Sequence, residues 1–162
     1  MNITMNRTEK GTWLKALMIA MIVALIGALM APGASKADAA VADGTYLIDY
    51  TVYANGTNNA SYMDNSEYSK KPATLIVSGG KATVKVTLNH KDWIKSFKTQ
   101  QNGTYVTAAS TTSGDTVTYT FPVSNLSNKV NAQIRVVVPA DVAGQPYDHT
   151  YTVQYLFDQA SI

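Results

Sequence analysis

From Thr45 onward the chain alternates between apolar and polar positions. In "TYLIDYTVYA", Thr45 to Ala54, the side chains of Tyr46, Ile48, Tyr50 and Val52 fall on one face of an extended strand. "ATLIVSGGKATVKVTLNH" reads as two such runs around Gly79-Gly80, a pair suited to a two-residue hairpin turn. In the second run Ala82, Val84, Val86 and Leu88 face one way; Lys81, Thr83, Lys85 and Thr87 face the other. "WIKSFKTQ", "TYVTAAST" and "TVTYTFPV" follow, broken at Asn102-Gly103 and Ser113-Gly114. "NAQIRVVVP" and "YDHTYTVQYLFD" close the pattern, joined by a turn from Pro139 to Pro146. About eight short strands with turn chemistry between them predict an all-β antiparallel sandwich or barrel. No segment after Ala40 carries a long helical period.

One stretch breaks the alternation: "NGTNNASYMDNSEYSKKPA", Asn55 to Ala73. It opens on turn formers and ends at Lys70-Lys71-Pro72. Its middle, Ser61 to Tyr68, suits a single helical or 3₁₀ turn. A connection this long inside a compact β domain is more often functional or disordered than plain. Tyr62, Met63 and Tyr68 argue against disorder, because such side chains are costly to leave in water.

The first 39 residues follow different rules. Arg7, Lys10 and Lys15 precede the apolar run Ala16 to Met30, and the small-residue stretch "APGASKADAA" follows. That order is the secretory pattern, and Ala37-Asp38-Ala39 is its best cleavage site. An uncleaved anchor is the alternative, but an apolar run of 15 residues is short beside the ~20 that a span needs. Cleavage after Ala39 leaves a single domain, 40–162, of 123 residues, enough for one core. Export predicts a secreted product with no stable membrane insertion once the signal is removed.

Charge then changes the picture. The whole chain is formally +2. Arg7, Lys10, Lys15 and Lys36 leave with the signal, as do Glu9 and Asp38, so the exported domain keeps nine charges of each sign. A neutral domain gives no electrostatic case for nucleic acid. There is no cysteine, which excludes thiolate chemistry and disulfides, so the core alone must hold the domain. All ten tyrosines lie in the exported part, against three phenylalanines over the whole chain. Such a composition suits a Gram-positive exterior or a periplasm. No G-x-S-x-G, H-E-x-x-H or phosphate loop occurs, and no His and carboxylate cluster has metal-ligand spacing, so an enzyme is not expected.

The tyrosines concentrate at the end. Tyr147, Tyr151 and Tyr155 stand four apart, and by parity His149 and Val153 share their face. Tyr147 and Tyr151 lie about 13 Å apart along an ideal strand, so spacing alone makes no pair of them. Aromatic packing on a half-buried strand is one reading. The other is ligation. A phenol titrates near pH 10 and becomes a good ligand only as phenolate, which a hard ferric ion stabilises. Tyrosine is one of the proximal ligands that haem iron accepts, and a second phenol donating to the ligating oxygen would tune that bond.

These residues resemble the NEAT (near-iron transporter) family, immunoglobulin-like haem-binding modules of Gram-positive bacteria, over about Asp43 to Asp158. The resemblance rests on Y-x-x-x-Y in the last strand, "YDHTY", Tyr147 to Tyr151. It rests also on the lip between the first two strands: "SYMD", Ser61 to Asp64, then a tyrosine and "KPATL", Lys71 to Leu75. The lip here is longer than the family pattern, since Asn65, Ser66 and Glu67 precede Tyr68. The resemblance implies an immunoglobulin-like β-sandwich binding ferric haem b. It implies Tyr147 as the iron ligand and Tyr151 as its hydrogen-bond partner. Ser61 would meet a haem propionate, Tyr62 would cover the distal face, Met63 would pack nearby, and Tyr68 would complete the lip. His149 is not a ligand position in the family.

Other readings stand beside these. Ser61 equally suits a helix cap. Lys70 and Lys71 either pair with propionates or simply begin a solvated strand. Val136, Val138 and Ile134 line either the core or a pocket wall, and Tyr155 is a further candidate for that wall. His90, at a strand end, is expected on the surface. The functional expectation is a released haemophore, since no sorting signal follows Asp158. It would take haem from haemoglobin or another haemoprotein and pass it to NEAT-type receptors. The alternatives are an immunoglobulin-like adhesion or haemoprotein-binding module that retains little haem, and a purely structural wall-associated sandwich.

Overall fold

The structure is a computed structural model and describes residues 41–162. The expected signal segment and its cleavage point lie outside the described residues. Among the described residues nine strands form: β1 (Gly44–Ala54), β2 (Ser69–Ser78), β3 (Lys81–Leu88), β4 (Ile94–Gln101), β5 (Thr104–Thr107), β6 (Ala109–Ser113), β7 (Thr116–Val123), β8 (Val130–Val138) and β9 (Tyr147–Asp158). A 3₁₀ turn, Tyr62–Asp64, lies between β1 and β2, and a one-turn helix α1, Ala140–Ala143, between β8 and β9.

The strands follow one another across the sheet in the order β5-β4-β8-β9-β1-β2-β3-β7-β6, and each neighbouring pair is antiparallel. β1 belongs to both halves. Gly44 to Ile48 pair with β2, and Asp49 to Ala54 pair with β9. The fold is therefore an immunoglobulin-like antiparallel sandwich whose two layers share a strand. The expected run "TYVTAAST" accounts for the ninth strand, because it is cut at Ala108. Ala108 is buried and its N–H donates to the Phe97 carbonyl at 3.1 Å. Before it, β5 pairs with β4; after it, β6 pairs with β7 in the other layer.

Turn chemistry sets the hairpin register. Gly79 and Gly80 both have positive φ, at 57° and 71°, which only glycine adopts at little cost. The Asp43 carboxylate accepts the Gly79 N–H at 2.8 Å, fixing the turn to the start of β1. Because the strands alternate in direction, the β1–β2, β3–β4 and β8–β9 connections gather at one end of the sandwich.

The core between the layers is aromatic. Phe97 stacks on Tyr119 at 4.4 Å between centroids, and Tyr155 is ringed by Tyr50, Phe97, Phe121 and Phe157. Tyr155 is wholly buried, which corrects its expected place in a pocket wall. It sits opposite Val130 and Val52, deep along β9, where the face that begins with Tyr147 has passed into the core. Ile134 is core as well, fully buried opposite Tyr151.

Burial pushes the Tyr50 phenol up to about 12 and the Tyr155 phenol well above its ordinary range. A raised folded-state value adds stability that is complete below the unfolded phenol's pKa, near 10, and is lost as pH rises beyond it. Denaturant unfolding should therefore show a loss of about 2–3 kcal/mol between pH ~9 and ~11. Tyr155→Phe should lose about half as much over that interval; an unchanged pH dependence in that variant contradicts the assignment.

Candidate functional site

The end of the sandwich where those three connections meet carries a groove of about 340 Å³. Three walls enclose it. The first is the lip. Ser61 caps the 3₁₀ turn, its Oγ accepting the Met63 N–H at 3.2 Å, while its own N–H donates to the Val52 carbonyl at 2.7 Å. The capping geometry leaves the hydroxyl proton of Ser61 free to donate elsewhere. Asp64 ties the turn down: one carboxylate oxygen accepts both the Val52 N–H and the Lys71 ammonium, each at 2.6 Å. Ser69 Oγ donates to the Met63 carbonyl, and the Asn65 carbonyl accepts the N–H groups of Tyr68 and Ser69. The extra lip residues are thus a hydrogen-bonded turn that returns the chain to β2.

The second wall is the β8–β9 hairpin. Its register sets Val138 opposite Tyr147, Val136 opposite His149 and Ile134 opposite Tyr151. Residues on this face leave the core as the hairpin rises, so Val136 and Val138 line the groove beside Tyr147 and Tyr151. Ala143 of α1 adds to that side.

The third wall, the β3–β4 connection, was not anticipated. Asn89, His90, Trp93 and Ile94 line the groove from there. Asn89 Nδ2 donates to the carbonyls of Ser66 and Glu67, joining this wall to the lip. The Val137 N–H donates to the Trp93 carbonyl at 2.8 Å, joining it to β8. His90, expected on the surface, instead faces the groove in the left-handed backbone region (φ 55°), stacked on Trp93 at 4.1 Å with ring planes 12° apart. Its Nδ1 lies 3.5 Å from an Asp115 carboxylate oxygen. The signal for this wall was a tryptophan just past a strand end, "NHKDW", a position where so large a ring needs cover.

Of the expected site residues, Ser61, Tyr62, Met63, Tyr68, Val136, Val138, Tyr147 and Tyr151 all border the groove, and Tyr155 does not. The four phenols come from two walls. Tyr62 is 76% exposed with its ring 5.4 Å from that of Tyr68. Burial, then the Glu67 carboxylate and the neighbouring Tyr62 and Tyr147 phenols, raise the Tyr68 phenol above its ordinary value. His149 is exposed against the Tyr151 ring and does not line the groove. Lys71 is engaged by Asp64 and lies over the Tyr50 ring, so it is no free cation for a carboxylate ligand. Among the described residues no group of three or more His, Cys, Asp or Glu is placed to hold a metal ion. The groove is apolar along its sides and carries phenol oxygens as its hard donors. That combination fits a flat apolar ligand that brings its own metal, as a ferric porphyrin does.

Known proteins resemble this chain in sequence and in fold. Residues 39–159 match the NEAT family, described as the iron transport-associated domain. Hemin/hemoglobin-binding protein 1 of Listeria monocytogenes is 39% identical over 147 residues, which are 91% of this chain and 69% of the relative. Iron-regulated surface determinant protein C of Staphylococcus aureus is 35% identical over 113 residues, 68% of this chain and 48% of the relative. The chain therefore spans about half the length of that second protein. Among solved structures, the NEAT5 domain of IsdX2, a B. anthracis hemophore in complex with heme, superposes with a TM-score of 0.68 at 31% identity, covering 75% of this chain and all of that one.

Losing the Asp64 carboxylate should loosen the lip. Asp64→Ala strands the fully buried Val52 N–H and should cost about 1–3 kcal/mol. Amide hydrogen exchange at Val52 should accelerate accordingly, and unchanged protection there contradicts the role given to Asp64.

Proposed function

Because this chain belongs to the NEAT family, we propose that its groove binds ferric haem b, with Tyr147 as the iron ligand. The observation that carries the reading is convergence. Tyr147 and Tyr151, from the last strand, meet the Ser61–Tyr68 lip across one apolar groove, although some 80 residues separate them in the chain. The names of the matched relatives, with hemin, hemoglobin and heme in them, support the same ligand.

In this reading the haem lies between lip and hairpin. Tyr147 supplies a phenolate, and Tyr151, on the same strand face, hydrogen-bonds that oxygen. Val136 and Val138 pack the proximal side. Tyr62, Met63 and Tyr68 cover the other, and the free hydroxyl proton of Ser61 serves a propionate. Phenolate ligation selects Fe(III) and releases a proton on binding, so affinity rises with pH. A single protein ligand at the open end of a sandwich suits capture and transfer. The product is a secreted haemophore of a Gram-positive bacterium. It takes haem from haemoglobin or another haemoprotein and passes it to receptors with NEAT domains of their own.

A second reading has one observation in its favour. Tyr62 stands at the tip of the lip, largely exposed, and would serve as an aromatic anchor on a haemoprotein surface. A binding module of that kind needs no iron ligand.

Hemin titrated into the chain from Ala40 to Ile162 should give a sharp Soret band, stronger at higher pH. Tyr147→Ala should lose it. Tyr151→Phe should keep the band but release hemin about fivefold faster, the effect of one hydrogen bond of about 1 kcal/mol. Spectra that match free hemin in the unaltered protein would favour the second reading.

A further inference from the structure

The lip holds two phenols that lie against each other as well as along the groove. Tyr62 and Tyr68 lie six positions apart, yet the turn between them brings their ring centroids to 5.4 Å with planes 44° apart. Both rings border the groove, Tyr62 exposed and Tyr68 half-buried beside it. Tyr147 borders the same groove from the hairpin. Rings this close bring the carbons beside each hydroxyl, the positions at which two phenoxyl radicals join, near enough to meet once the side chains turn. The exposed Tyr62 side chain has the rotamer freedom to close the remaining gap.

We propose that Tyr62 and Tyr68 are a site of oxidative coupling, forming a dityrosine bond that locks the lip when peroxide reaches the loaded groove. The step balances. Each phenol gives up one hydrogen atom as a proton and an electron. A carbon–carbon bond forms between the two positions beside the hydroxyls, and the phenols are restored. One peroxide molecule takes up the two hydrogen atoms and becomes two waters. The new bond closes a ring over residues 62–68 and fixes Tyr62, so the lip can no longer swing its outer ring away from the groove. The geometry stands on the protein alone. The peroxide chemistry rests on the haem reading above.

Two arms separate those dependencies, both on the chain from Ala40 to Ile162, which carries every core residue among those described. The first oxidises ligand-free protein with a light-driven one-electron oxidant. The second treats hemin-loaded protein with hydrogen peroxide. Dityrosine fluorescence is read in the monomer, followed by digestion with a glutamyl endoproteinase. That enzyme cuts at Glu67, between the two rings, so only linked peptides stay together, with a mass lower by two hydrogens. The link should form in both arms, vanish in Tyr62→Phe and in Tyr68→Phe, and persist in Tyr151→Phe. Absence of a Tyr62–Tyr68 link in the first arm overturns the proposal. So does fluorescence that survives in Tyr62→Phe. Hemin uptake in the second arm without the link overturns the peroxide step. A link in the first arm with no hemin uptake in the second contradicts the haem reading and supports the geometric one.

Discussion

The register between β8 and β9 is the constraint on which the site depends. Side chains on a strand alternate, so a slip of one residue would turn Tyr147 and Tyr151 away from the groove and push Asp148 and Thr150 into it. Nothing in the short connection between the strands enforces the register alone. Burial does. Farther along the same pair, Ala132, Ile134, Val153 and Tyr155 are packed into the core, and a slip would exchange them for polar neighbours. The core thus holds the phenols in place from several residues away. An ion pair on the outer face, Arg135 to Asp148 with both carboxylate oxygens engaged, is consistent with the same register but is solvent-exposed and contributes little.

The lip obeys a different logic. It has no strand partner over most of its length, so its backbone groups find partners one at a time. Asp64 serves Val52 and Lys71, Ser61 caps Met63, and Asn89 reaches across from the third wall. Such a segment is ordered without being part of the core. That suits a wall that must admit a ligand and then cover it.

Much of this was legible in the chain. Period-two alternation and glycine turns gave the strands, and the tyrosine spacing with the serine-led lip gave most of the groove. Three things were not legible. The split at Ala108 has no turn signal, because the chain changes layers without reversing, and alternation continues through it. Tyr155 sits on the same strand face as Tyr147, and parity cannot say where along a strand the protein interior begins. The third wall, with His90 and Trp93, comes from a loop whose residues carry no spacing pattern; only the bulk of the tryptophan hinted at it. Residues 39–159 match the NEAT family, and the groove shows how this chain's own phenols are placed.

The claim that bears most weight is a bond between the Tyr147 oxygen and ferric iron. Resonance Raman spectra of the hemin-loaded protein test it directly. Excitation into a phenolate-to-iron transition should bring up tyrosinate ring modes that shift when ring-deuterated tyrosine is incorporated and disappear in Tyr147→Phe. Hemin held in the groove with no such modes, or with modes unchanged in Tyr147→Phe, would contradict the account.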